Sequence, residues 1–142
     1  MYKKIMVAIG DDEISRNALK KALHLASAYG ARICLVHAVA EPGDDEDERS
    51  GSGEQAGLEL LEQAKSTAAE AVTVETRLLE ADKQYGLSGV SDAISNAVTE
   101  WGADLLVVGT KGRRGLERLV IGSVAGKLVN IVDTSILLVR LP

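Results

Sequence analysis

Five short apolar runs, separated by four stretches of helical periodicity, predict an α/β protein: a doubly wound three-layer sandwich around a five-stranded parallel sheet. Most of the runs are unbroken rather than alternating, as strands covered on both faces are. The connections between them have room for helices, which parallel pairing needs in order to return the chain to the same end of the sheet.

Lys4 to Ile9 reads as the first strand, and Gly10-Asp11-Asp12 stops it. Asp12 is a good helix N-cap, and Ile14, Ala18, Ala22, Leu25 and Tyr29 then recur every three or four residues until Gly30 closes the helix. Arg32 to Val39 is the second strand. Residues 40–53 are dense in Asp, Glu, Gly and Ser, and read as a solvated loop; consecutive carboxylates without apolar anchors do not hold the geometry a metal ion requires.

Glu54 to Glu70 is expected to be the second helix and Val72 to Leu79 the third strand, whose alternation of apolar and polar residues places it near a sheet edge. A loop follows over 81–88. The third helix carries Val90, Ile94, Ala97, Val98 and Trp101 on one face, with Trp101 in the core and Gly102 as the stop. Leu105 to Val108 is the fourth strand, a fourth helix runs from Ser123 to about Val132, and Ser135 to Arg140 is the fifth strand.

In sheets of this class ligands sit beyond the carboxyl ends of the strands, where the winding reverses. With the strand order 3-2-1-4-5, the reversal falls between strands one and four. The turns at their ends, Gly10-Asp11 and Gly109 to Gly112, are the most glycine- and charge-marked in the sequence. Backbone N–H groups are open to a ligand where no side chain blocks them, and a helix beginning at Gly122-Ser123 adds donors and a positive dipole end. The pattern is that of an anion cradle.

Composition narrows the function classes. A chain of 142 residues fits one domain, and the net charge of −5 argues against a chain-wide surface for nucleic acid or anionic membrane. The charge is uneven: Lys111, Arg113, Arg114, Arg118 and Lys127 against Glu117 give a local +4 between Gly109 and Lys127. No stretch approaches a membrane span, and the N-terminal apolar run is too short for a signal peptide. A single cysteine, Cys34, set among apolar neighbours, reads as a buried hydrophobe in a reducing, cytoplasmic setting.

Known phosphate motifs fail on spacing. Gly10-Asp-Asp-Glu lacks the dinucleotide fingerprint, and Gly126-Lys127-Leu128 lacks both the leading glycine and the magnesium hydroxyl of a P-loop. Gly112-Arg-Arg-Gly115 follows a buried strand rather than lying between two helices, so an RNA clamp is a weak reading. What is present is Gly109-x-x-Gly112-x9-Gly122-Ser123.

This motif, with Val7-Ala-Ile9, Leu35-Val-His37, Gly102-Ala-Asp-Leu-Leu-Val-Val-Gly109 and Leu137-Leu-Val-Arg140 around it, resembles the ATP-binding branch of the universal stress protein family over the full length of the chain. The resemblance implies that Val108 and Gly109 lie against ribose, that Lys111, Gly112 and Arg113 meet the phosphates, and that Gly122, Ser123 and Val124 close over them. Adenine would lie near Ala8, Ile9, Gly10, Asp11 and Ala38. It also implies a homodimer formed by antiparallel pairing of the strand at 136–141.

Two positions depart from the family pattern. Gly10 stands where the family carries an acid, with Asp11 one place later, and the proline before the last strand is absent. The sequence shows no catalytic triad and no metal site, so the expected activity is nucleotide binding, at most with slow ATP hydrolysis if Asp11 or Asp12 holds Mg²⁺. The alternative is a nucleotide-independent interaction protein. His37 is read as a structural histidine at the end of strand two, and His24 has no assigned role.

Overall fold

The structure, a computed structural model, describes residues 1–40, 47–85, 87–110 and 123–140, with the side chains of 40, 47–52, 83, 87 and 123 outside that description. The elements in chain order are β1 (Lys4–Ala8), α1 (Glu13–Tyr29), β2 (Arg32–Ala40), α2 (Asp47–Ala68), β3 (Val74–Ala81), a 3₁₀ turn (Lys83–Tyr85), α3 (Leu87–Trp101), β4 (Leu105–Gly109), α4 (Ser123–Ile131) and β5 (Ser135–Val139). All strand pairs are parallel, in the order β3-β2-β1-β4-β5. The doubly wound sandwich expected from the sequence is the fold.

Alternation along the central strands splits the core in two. Ile5, Val7, Ile33, Leu35, Leu105 and Val107 point towards α1 and α2, where Ala18, Leu19, Ala22, Ala26 and Leu61 cover them. Met6, Cys34, Val36, Leu106 and Val108 point the other way, under Ile94, Ala97, Val98 and Trp101 of α3 and Leu128 of α4. Ile5, Met6 and Val7 are each fully buried, so β1 contributes to both halves of the core. At about 1.5–3 kcal/mol per large side chain removed from water, the unbroken apolar runs account for why these strands are central.

Helix α1 is capped as the sequence predicts. The Asp12 side chain accepts from Ser15 N, and Gly30 ends the helix in the left-handed conformation at φ 69°. Its buried stripe, Ser15, Ala18, Leu19, Ala22 and Ala26, keeps Ala18 and Ala22 of the expected one, and Leu25 is half-buried against the same core. Tyr29 is 45% exposed and meets Tyr2 edge-on, with ring centroids 5.8 Å apart.

Three boundaries differ from the expectation. Helix α2 begins at Asp47, so residues 47–53 are helical and not part of an acidic loop; 41–46 lie outside the described residues. Gly57 brings bare backbone over the sheet, where a Cβ would stand 2.9 Å from Leu78 and 3.0 Å from His37. Strand β3 starts at Val74 because Ala71 N and Val72 N both turn back onto Ala68 O as the helix ends. The connection at 81–88 is shorter than expected, since it contains the 3₁₀ turn and α3 begins at Leu87.

The edge positions are as the alternation and order implied. Strand β3 lies on one edge, with all but its last two residues half-buried, and β5 lies on the other. Trp101 is buried, its indole N–H donating to Glu75 Oε1 at 3.0 Å. Among the described residues no helix is long and apolar enough to cross a membrane.

Candidate nucleotide site at the carboxyl edge of the sheet

The reversal of winding falls between β1 and β4, which pair directly: Ala8 stands opposite Val108 on one side and Val36 on the other. Beyond this register the chain leaves the sheet at Ile9-Gly10 and at Gly109-Thr110. Two loops therefore emerge side by side at the carboxyl edge.

The β1 loop is internally ordered. Gly10 N donates to Ser15 Oγ at 2.7 Å, and Ser15 N donates to Asp12 Oδ1 at 2.7 Å, so the chain folds back on the first turn of α1. Ile9 N donates to Val36 O at 2.9 Å. His37 Nδ1 lies 2.7 Å from Ile9 O; a carbonyl can only accept, so Nδ1 carries the proton. This bond ties the end of β2 to the end of β1, and gives His37 the structural role expected of it.

The end of β4 is shaped by close approach. A Cβ at Gly109 would run into the side chain of Ile14 on α1, so only glycine lets β4 end beneath that helix. Thr110 is buried, and both its N–H (2.8 Å) and its hydroxyl (3.3 Å) donate to Val139 O on β5. The first turn of α4 opens at the same edge. Its leading N–H groups, from Ser123 onwards, have no acceptor within the helix, as at any helix start.

An open groove of about 860 Å³ leads away from Gly10 and Asp11 between α1 and α2, floored by Leu19, Leu23, Leu60 and Ala64. Asp11 is almost fully exposed and stands 3.9 Å from Arg16. The described residues hold no group of three or more His, Cys, Asp or Glu that could bind a metal ion.

Comparison with known proteins decides the family. The model of the Universal stress protein family matches residues 1–140. The chain belongs to that family. Universal stress protein YxiE of Bacillus subtilis is 30% identical, over 99% of this chain and 100% of its own. The fold is also that of several solved structures. Hypothetical protein MJ0577 superposes with a TM-score of 0.84 at 19% identity, over 100% of this chain and 98% of the other. A universal stress protein solved in complex with cAMP gives 0.73 at 23% identity, with 96% of each chain covered. One from Archaeoglobus fulgidus, solved in complex with dAMP, gives 0.69 at 22%, over 97% of this chain and 98% of that one.

Of the residues singled out in the sequence, Ala8, Ile9, Gly10, Asp11, Val108 and Gly109 are brought together at the ends of β1 and β4. Ala38 lies on the last turn of register of β2, opposite Leu79 of β3. Ser123 and Val124 open α4. Lys111, Gly112, Arg113 and Gly122, with Arg114 and Arg118, lie outside the described residues.

Sequence reading overlooked Ile14, whose side chain makes Gly109 a necessity, and Ser15, which takes up the Gly10 N–H. The second had a partial signal: Ser15 stands three residues after the Asp12 cap, the spacing at which a capping-box side chain turns back to the cap N–H, although here its hydroxyl reaches Gly10 N instead. Universal stress proteins are thus represented here by a fold whose two most glycine-marked turns share one edge.

Proposed function

We propose that this universal stress protein is a small cytoplasmic regulatory protein that binds an adenine nucleotide, ATP in our reading, and acts as a homodimer. The observation that carries the reading is the meeting of the Gly10 and Gly109 turns beside the start of α4. Phosphate gains most at a helix N-terminus, and the family-like spacing from Gly109 to Ser123 leads the chain to that helix start. The complexes of fold relatives with cAMP and dAMP support an adenine nucleotide as the ligand class.

The residues present fit such a ligand with one refinement. Because Gly10 N is already bonded to Ser15 Oγ, Gly10 offers room rather than a donor. Val108 and Gly109 would border the ribose, and the base would lie against Ala8 to Asp11 and Ala38, where the α1–α2 groove opens. The phosphates would meet Lys111, Gly112, Arg113, Gly122, Ser123 and Val124. Asp12 commits Oδ1 to its cap, while Asp11, almost fully exposed and only loosely paired with Arg16 at 3.9 Å, has the freer carboxylate to offer a Mg²⁺ ion. Neither acid is placed as a base with a partner, and the proposal is binding without rapid turnover.

Mass spectrometry of nucleotide released from denatured protein, with calorimetric titration of the stripped protein by ATP and Mg²⁺, tests this. ATP in stoichiometric amount, or saturable heat that Gly122→Val abolishes with the fold intact, is the expected result. No nucleotide and no heat would overturn the reading in favour of a nucleotide-independent interaction protein. For the dimer, Leu138→Lys on the edge strand β5 should halve the mass seen by light scattering; an unchanged dimer would reject that interface.

A further inference from the structure

Helices α3 and α4 both start at the carboxyl edge of the sheet and are joined at their first turns. Lys127 Nζ donates to Ser88 Oγ at 2.7 Å and lies 3.1 Å from Asp92 Oδ1. One turn away Ser91, fully buried, directs its hydroxyl at Val124 O over 3.4 Å. By sequence Lys127 counts among the cations of the basic segment, yet its charge is met here by Asp92, and its nitrogen is turned to α3.

We infer that Lys127 and Asp92 are positioning residues for the nucleotide site, an inference that rests on the binding proposed above. A helix start carries N–H groups with no internal acceptor, and it frays unless something outside the helix holds it. The bridge from Lys127 to Ser88 and Asp92 supplies that hold from the side opposite the ligand. With α4 fixed on α3, the N–H groups from Ser123 to Ala125 are ordered before phosphate arrives, and binding does not have to order them. Lys127 acts on phosphate through the helix and does not touch it.

The experiment is calorimetric titration of ATP into wild-type protein, Lys127→Met, Lys127→Arg and Asp92→Asn at one ionic strength, with hydrogen exchange of residues 127–130, whose amides bond to the carbonyls of the first turn, in the nucleotide-free state. Both Lys127→Met and Asp92→Asn should weaken ATP by about threefold to fivefold, the range of a part-exposed ion pair. Both should also speed exchange at the start of α4, and Lys127→Arg should keep wild-type affinity. Loss of affinity in Lys127→Met with none in Asp92→Asn would make Lys127 a direct phosphate ligand and overturn the inference. So would faster exchange with unchanged affinity. Wild-type protein that takes no ATP would instead overturn the functional reading beneath it, an outcome the wild-type titration separates from the others.

Discussion

The two ends of the sheet are built differently. At the amino end, side chains lock the strands to one another. Asp104 accepts from Lys3 N at 2.8 Å and Lys4 N at 3.1 Å, across a hundred residues of sequence. Lys4 Nζ bonds Trp101 O and lies 4.7 Å from the centre of the Trp101 ring, while the indole N–H reaches Glu75. Thr134 closes on Ala103 O. At the carboxyl end, around the end of β1, the described contacts are short-range or backbone-directed: Gly10 to Ser15, Ser15 to Asp12, His37 to Ile9 O; the side-chain tie at that end is Lys127 to Ser88 and Asp92, between α4 and α3. Bulky, charged and aromatic residues tie the strands together at one end, while glycine and hydroxyl residues shape the end of β1 at the other. The contrast teaches that, among the described residues, the long-range ties between strands gather at the end away from the proposed site.

Changes at the two ends should therefore separate stability from affinity. Trp101→Ala has the largest expected effect, about 3–5 kcal/mol of stability from the emptied core and the lost contact with Glu75. Circular dichroism in denaturant would measure it, with ATP affinity of the folded fraction unchanged; a selective loss of affinity would break the comparison.

Cys34, fully buried in the middle of β2, sharpens it through pH. Burial first, and then the charge of Glu75, push its thiol from 9.0 up to about 11. The folded protein holds the proton that the unfolded chain releases, so this contribution is fully present below pH 9 and is lost as pH rises from 9 towards about 11. The loss should be on the order of 2 kcal/mol, absent in Cys34→Ala, and visible as a difference in the slope of denaturation midpoint against pH. Equal slopes in the two proteins would refute it.

Asp104→Ala removes the acceptor for two backbone N–H groups and should cost about 1–2 kcal/mol, again without touching affinity. At the opposite end Asp12→Ala removes the α1 cap, at about 1 kcal/mol, and loosens the Gly10 turn through Ser15. Here ATP affinity should fall more than the melting temperature suggests. If the ratio runs the other way, the β1 loop is scaffold and not site.

Much of this was legible in the sequence, for local reasons. Asp12 and Gly30 mark the ends of α1 by chemistry that acts within a turn, and the unbroken runs around Val7, Leu35 and Leu106 announce strands covered on both faces. The glycine spacing at 109–122 marks a candidate site, and of its glycines only Gly109 lies within the described residues. What escaped depends on partners distant in the chain. Residues 47–53 look like loop by composition, yet they form the first turns of α2. Tyr29 has the period of a core residue, yet Tyr2 meets it at the surface. Asp104 reads as a helix-to-strand turn residue, and Lys127 as one more cation, until β1 and α3 are placed beside them.

The pairing of β1 with β4 also sets an order of events as the chain is made. Gly10 and Gly109 lie roughly a hundred residues apart, so at ribosomal rates the first turn waits on the order of 5 to 20 s for the second. Through that interval β1 has β2 on one side and an open edge on the other, where β4 will dock. A nascent or truncated chain lacking β4 thus holds half of the proposed cradle, and the proposed ligand would report on a completed sheet as well as on its own abundance.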